Sequence, residues 1–233
     1  MLKVLVVDDD FKIRKLVKVN LEKRGYNVTE ATDGESAITR MRQNMPDLIL
    51  LDLIMPGVDG IEVCKWVRQR GDTPIIVLSA QADEELKVHA LDEGADDYVM
   101  KPFGYSELLA RVRAVMRRAG ESTGEVTGEG TKITIEEFVV DLGARRAFVE
   151  NNDIHLTRTE FALLSELGKN LDAILSHDEL LGRVWGPEYR GSSHYLHVYL
   201  GRVRKKMGEK HSPLLETVPG LGYILHSSLP RVN

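Results

Sequence analysis

The first 120 residues alternate between two hydrophobic periods. Short apolar runs occur at Leu2–Val7, Asn27–Ala31, Leu48–Asp52, Pro74–Leu78 and Asp97–Met100. Four of them are dense in Val, Ile and Leu, the pattern of parallel strands buried on both faces. The second run is more polar, as suits an edge strand. Amphipathic stretches at helical spacing separate them: Phe11–Arg24, Gly34–Gln43, Gly60–Arg68, Asp83–Glu93 and Tyr105–Arg118. Five strands alternating with five helices predict a doubly wound α/β domain.

The grammar changes after residue 119. Residues 120–130 hold only Gly, Glu, Ser, Thr and one Val. That composition buries too little apolar surface to order itself and reads as a flexible linker. Beyond it, Lys132–Ile135, Phe138–Leu142, Ala147–Val149 and Ile154–Leu156 resemble short antiparallel strands. Helical patterns follow at Thr159–Gly168, His177–Trp185 and Ser193–Met207. Two last short strands, near Glu216–Val218 and Gly222–Leu225, flank Pro219, Gly220 and Leu221. This predicts an α+β domain over 131–228, a helix-turn-helix closed by a hairpin, or wing.

Composition narrows the class. At 233 residues the chain has room for two modest cores, and 42% hydrophobic with 29% charged content is ordinary for a globular protein. The single cysteine, Cys64, rules out an internal disulfide and fits a reducing compartment. The apolar run Val4–Val7 is short and ends in three aspartates, unlike a secretory leader, and no stretch approaches membrane-spanning length. A soluble, cytoplasmic protein without membrane contact is expected. Net charge is −5. Residues 1–120 carry 18 basic and 20 acidic side chains, and residues 131–233 carry 13 of each. A DNA-binding face in the second half must therefore be a local concentration of charge.

The chemistry lies at the carboxyl ends of the predicted parallel strands, where open α/β sheets build their sites. Strand one ends in Asp8, Asp9 and Asp10, strand three in Asp52, strand four in Ser79, and strand five in Lys101 and Pro102. In a flavodoxin-like order, 2-1-3-4-5, strands one and three adjoin, and Asp8, Asp9 and Asp52 converge. Crowded carboxylates repel, and a hard cation among them relieves this; oxygen-only ligation suits Mg²⁺. Lys101 adds fixed positive charge and Ser79 a hydroxyl. Metal, ammonium and hydroxyl around one carboxylate suit a transferring phosphoryl group, with Asp52 as nucleophile. Acidic residues after strands often merely cap helices, and Asp10 fits that role best.

These segments resemble a response-regulator receiver domain over residues 1–118. The resemblance rests on Val4–Asp10, on Pro46–Gly60 with Asp52 before Leu53-Ile54-Met55-Pro56-Gly57, on Ile76–Ala80 and on Tyr98–Phe103. It implies that Asp52 accepts phosphate from a sensor histidine kinase. It implies Mg²⁺ on Asp9, Asp52 and the Ile54 carbonyl, with Asp8 helping through water. Ser79 and Lys101 would bind the phosphoryl oxygens, and the Lys101–Pro102 bond would be cis. Tyr98 would turn inward on activation. Dimerisation is then expected through Lys87, Val88, Leu91, Asp97, Glu107, Leu109 and Arg111, with pairs resembling Lys87–Glu107 and Asp97–Arg111 recurring across a two-fold axis. The plain alternative is a solvated face, in which Glu107 and Arg111, four residues apart, pair within one helix.

Residues 131–228 resemble the winged-helix effector domain of the OmpR/PhoB type, through Leu156–Leu164, Glu179–Gly186 and Gly220–Tyr223. On the third helix, Leu196, Tyr199, Leu200, Val203 and Met207 form a core stripe. His194, His197 and Gly201 are expected to face bases of double-stranded DNA, with Arg202, Arg204 and Lys205 near phosphates. Val198 falls on that outer face as well. Trp185 reads equally as core or as a phosphate contact. A metal at His194 and His197 lacks further ligands nearby. Gly201 and Pro219 depart from the basic residues that the family often carries at these places. Trp185–Glu188 and Ser193–Leu196 resemble the KdpE branch, the regulators of potassium transport. RNA polymerase is a further expected partner.

Rival readings fail on particular residues. A P-loop ATPase needs Gly-x-x-x-x-Gly-Lys-Ser/Thr, and the chain has none. An aspartyl-phosphate phosphatase leaves the winged helix unexplained. A constitutive DNA-binding protein with a vestigial receiver leaves the complete acidic set unexplained. The chain is thus expected to accept a phosphoryl group without being a turnover enzyme.

Overall fold

The computed structural model describes residues 1–80, 84–120 and 132–229. The expected linker over 120–130 falls outside the described residues from 121 onward, and so does Asp83. The chain divides into two compact units, Met1–Met116 and Arg117–Asn233.

In the first unit, β1 (Lys3–Val7), β2 (Asn27–Ala31), β3 (Leu48–Asp52), β4 (Ile75–Ser79) and β5 (Asp97–Met100) alternate with α1 (Phe11–Glu22), α2 (Gly34–Gln43), α3 (Gly60–Arg68), α4 (Glu84–Asp92) and α5 (Tyr105–Gly120). The sheet is parallel, in the order β2-β1-β3-β4-β5. All side chains of β3 and β4 are buried, while polar β2 lies at the edge with only Val28 and Ala31 buried. This is the doubly wound α/β domain that the hydrophobic pattern predicted, in the flavodoxin-like order expected for it. The helix starts are set by short polar side chains. Asp10 accepts from the Lys12 amide, Asp33 from Ser36, and Asp59 forms a reciprocal capping box with Glu62.

In the second unit, β6 (Lys132–Ile135), β7 (Phe138–Asp141), β8 (Arg146–Val149) and β9 (Asn152–Asp153) form an antiparallel sheet. The last strand lies two residues upstream of the expected Ile154–Leu156. The positive φ of His155 turns the chain, and Leu156 leads directly to the Thr157 cap. Then come α6 (Arg158–Gly168), β10 (Leu175–Ser176), α7 (His177–Val184), α8 (His194–His211), β11 (Leu215–Val218) and β12 (Gly222–Leu225). Thr157 and Ser176 make capping boxes with Glu160 and Glu179. Helical geometry in α8 breaks at Gly208, with φ of 75°, one residue after the predicted end at Met207. The two-residue strand β10 was not predicted. It places the wing strand β12 between β10 and β11. The unit is a winged helix, again as the pattern predicted.

Candidate phosphoacceptor site and nucleic-acid interface

Parallel pairing sets Val7 against Leu51, so the residues that follow leave adjacent strand ends together. Asp8, Asp9 and Asp52 each offer a carboxylate oxygen within 4.8 Å of the others. Asp8 is fully buried, Asp52 nearly so, and Asp9 is exposed. Lys101, just beyond β5, spans the cluster: its Nζ lies 2.7 Å from Asp8 Oδ2 and 2.6 Å from Asp52 Oδ2. The Lys101–Pro102 peptide is cis. The Lys101 amide donates to the Ser79 carbonyl at 2.7 Å, which ties this turn to the end of β4, where Ser79 is buried. The Ile54 amide donates to Asp52 Oδ1 at 3.2 Å.

Burial and charge compete at these groups. Burial pushes the Asp8 carboxyl above its ordinary range, against the pull of the Lys101 ammonium. Burial works against the charge on Lys101, but the hydrogen bonds and charges of Asp52 and Asp8 together outweigh it and hold its pKa above the ordinary lysine value. A half-buried cation shared by two carboxylates leaves the cluster acidic overall, with Asp9 an exposed third carboxylate.

One contributor was missed in the sequence. Arg14 Nη1 donates to the carbonyls of Asp8 at 2.7 Å and Asp9 at 3.0 Å, and its Nε lies 3.7 Å from Glu30 Oε1. It anchors the peptide that presents the acidic pair. An arginine one turn into a helix after a strand gives no local signal of this role. A second contributor, Gly60, leaves room for close approach: a Cβ there would stand 2.3 Å from the Asp52 carbonyl oxygen.

The expected dimer residues divide. Lys87, Val88, Glu107 and Arg111 retain exposure. Leu91, Asp97 and Leu109 are buried within this chain, Leu109 as part of the hydrophobic core, so none of the three presents a surface. Arg111 bonds Asp97 Oδ1 at 3.0 Å and Glu107 Oε1 at 3.0 Å in the same chain. The within-helix pairing is therefore the one observed. Tyr98 is buried, with Lys87 Nζ 5.9 Å from its ring centroid.

On α8 the core stripe Leu196, Tyr199, Leu200, Val203 and Met207 is buried, and so are Tyr195 and Val198. Val198 thus leaves the outer face on which the helical spacing had put it. His197, Gly201 and Lys205 are exposed, and His194 is half-buried with its ring on Tyr195. Two expected phosphate contacts, Arg202 and Arg204, need correction, and Trp185, open between core and phosphate, falls to the core. Arg202 Nε pairs at 2.9 Å with Glu160, whose side chain is wholly buried and also holds Lys206 at 2.7 Å. Arg204 donates to the Leu215 carbonyl and to Thr217 Oγ1, both at 2.7 Å, and so latches α8 to β11. Trp185 is fully buried against Tyr195 and Tyr199. A buried carboxylate and open backbone carbonyls attract guanidinium groups inward, which helical spacing alone does not register.

Comparison with known proteins agrees with both units. Residues 4–113 match the response regulator receiver domain, and residues 151–225 match the C-terminal domain of transcriptional regulatory proteins. The chain is 41% identical over 222 residues to the transcriptional regulatory protein KdpE of Mycobacterium tuberculosis, covering 94% of this chain and 97% of that one. It is 40% identical over 230 residues to the response regulator MprA of Mycolicibacterium vanbaalenii, covering 98% and 99%. A variant of RitR shares the fold at TM-score 0.78 and 23% identity, covering 97% of this chain and 99% of that one. DrrB, an OmpR/PhoB homolog from Thermotoga maritima, aligns at TM-score 0.52 and 28% identity with the same coverage.

Proposed function

This chain belongs to the response regulators with an OmpR/PhoB-type output domain, and from that premise we propose that Asp52 is its phosphoacceptor. In this reading a receiver at 1–119 and an output domain at 131–228 flank the linker at 120–130. The observation that carries it is the ammonium of Lys101 within 2.7 Å of two carboxylates, Asp8 just beyond β1 and Asp52 at the end of β3.

The oxygen-only set of Asp8, Asp9 and Asp52 fits a hard divalent cation such as Mg²⁺. Asp9, Asp52 and the Ile54 carbonyl would hold it directly, and Asp8 through water. When bound, the cation neutralises charge on the phosphoryl oxygens. The chain's own groups do the rest. An Asp52 carboxylate oxygen attacks phosphorus, an O–P bond forms, and the N–P bond of the kinase phosphohistidine breaks, its electron pair staying on the imidazole. Lys101 offers its charge to the incoming oxygens, and Ser79 offers its hydroxyl. Tyr98 repacks in response, and the face carrying Lys87, Val88, Glu107 and Arg111 pairs with its copy on a second chain.

The output is transcriptional control through α8 in the major groove of double-stranded DNA, with His194, His197 and Gly201 toward bases and Lys205 toward phosphate. RNA polymerase is the partner that would read the bound state. Potassium-transport promoters are the first to test, because KdpE is among the relatives; the comparable identity to MprA makes a footprint the arbiter.

Incubation with acetyl phosphate and Mg²⁺, followed by intact-mass spectrometry, tests the phosphoacceptor. One phosphate adds to the wild-type chain and none to Asp52→Asn. Labelling of Asp52→Asn to the same extent would end the assignment, and continuous phosphate release at enzymatic rates would make the protein a phosphatase.

A further inference from the structure

The hydroxyl of Tyr223 lies 2.8 Å from Nδ1 of His197, the exposed histidine in the first turn of α8. Tyr223 itself is fully buried. Four elements fix its ring. As part of β12 it pairs with Leu175 of β10 and Thr217 of β11. His177, the first residue of α7, meets the ring edge-on at 5.5 Å between centroids. Arg204, held by Leu215 and Thr217, covers it from 5.8 Å. The phenol therefore addresses His197 from a rigid seat.

The direction of that hydrogen bond follows from satisfaction. Among the described residues, His197 Nδ1 is the sole hydrogen-bond partner of the Tyr223 hydroxyl. Burial raises the phenol pKa, against the pull of Arg204, so the O–H is present at neutral pH. A buried O–H needs an acceptor, and the lone pair of a neutral imidazole Nδ1 is the one within reach. An imidazole that accepts this bond at Nδ1 carries its proton on Nε2, the ring nitrogen turned away from Tyr223.

We propose that Tyr223 locks the ring orientation and tautomer of His197, making His197 a one-way hydrogen-bond donor that selects an acceptor-bearing base edge in the major groove. Guanine fits best, because its N7 and O6 both accept, whereas the N4 amine of cytosine donates and is rejected. Tyr223 is a positioning residue, acting through His197 without touching DNA. The inference rests on the reading of α8 as the DNA-contacting helix.

Two measurements on the full-length chain test it. Long-range ¹H–¹⁵N correlation spectra give the tautomer of His197, identified by the signals missing from His197→Ala. Binding-site selection from a randomised duplex library gives the base preference. In the wild type we expect the proton on Nε2 and a selected motif with one acceptor-dependent position. His197→Ala loses about fivefold preference at that position, the worth of one neutral hydrogen bond. Tyr223→Phe keeps the packed ring, brings the two ring-nitrogen shifts of His197 closer together, and loses about threefold, the cost of ordering one freed side chain on binding. A wild-type proton on Nδ1 overturns the lock, without needing any variant to fold. A proton on Nε2 with identical motifs from all three proteins overturns the base readout. Selection of no motif by the wild type, whatever the tautomer, overturns the DNA reading beneath it and the inference with it.

Discussion

Replacing Arg202 by methionine separates two roles that α8 side chains can take. If Arg202 contacted a phosphate, its loss would weaken DNA binding and lower the salt dependence by about one unit of slope. The structure predicts a different result. Arg202 Nε lies 2.9 Å from Glu160 Oε1, with side-chain exposures of 16% and 0%. At an effective dielectric constant of about 20, charges at that distance attract by about 6 kcal/mol before desolvation is counted. Lys206 at 2.7 Å and the Thr157 amide at 2.8 Å still neutralise part of the stranded carboxylate. The net loss should be about 2–3 kcal/mol, at or just under the usual range for breaking a buried pair. At a urea m-value of about 1.5 kcal/mol/M, the unfolding midpoint of the output domain falls by about 1.3–2 M. The assay is urea unfolding followed by the fluorescence of Trp185 in a Trp66→Phe background. It is paired with a salt titration of DNA binding at a urea-free temperature where both proteins are folded. A midpoint shift worth less than about 0.5 kcal/mol, together with a shallower salt slope, would refute the inward assignment. A double-mutant cycle with Glu160→Gln isolates the coupling and should return most of the single-site loss.

Other outcomes follow from the same geometry. The Cys64 thiol is fully buried, and burial drives its pKa up to about 12. It should resist iodoacetamide at pH 8 in the native protein and react stoichiometrically in urea, as read by mass spectrometry. Gly60→Ala forces a methyl against the Asp52 carbonyl, within 2.3 Å of its oxygen. Differential scanning calorimetry should show the receiver transition lowered by about 2 kcal/mol or more, with acetyl phosphate labelling slowed. Tyr223 gives the output domain a pH dependence of known sign. Burial raises its folded-state pKa, so its contribution is intact below the ordinary tyrosine value of 10.0 and is lost as pH climbs through the raised one. Chemical denaturation between about pH 9.5 and 11.5 should show a steeper fall for the wild type than for Tyr223→Phe.

The central parallel strands proved easy to read because β1, β3 and β4 are solid apolar runs of the right length. β2, β3 and β5 carry the bounds that the pattern predicted, and the polar character of β2 marked it as the edge. The convergence of Asp8, Asp9, Asp52 and Lys101 was legible for a related reason: strand order fixes which carboxyl ends meet, and the residue after each strand is visible in the chain. The losses came where pairing is non-local. β10 has two residues and exists because Tyr223 and Gly222 of β12 bond to it, and no two-residue window announces that. Arg202 and Arg204 occupy outward-looking spacings on α8, yet each guanidinium follows a buried acceptor supplied by another element. Helical periodicity locates the Cβ of a residue, and a long cationic side chain then goes where its charge is best answered. Leu91 and Leu109 carry the same lesson in reverse, since an apolar residue among charges was assigned to a contact surface when its own core claimed it.

The central place of β12 in the three-stranded sheet has a practical corollary. A hairpin at the end of a chain invites deletion or exchange as though it were an appendage. Here one of its strands is stitched to the start of α7 and carries the phenol that hydrogen-bonds a histidine on α8. Trimming the hairpin would therefore remove a hydrogen-bond partner of α8 at the same stroke, and a graft of this wing onto another scaffold would leave that helix behind. On the proposed reading of α8, re-engineering of DNA preference must treat hairpin and helix as a single movable part.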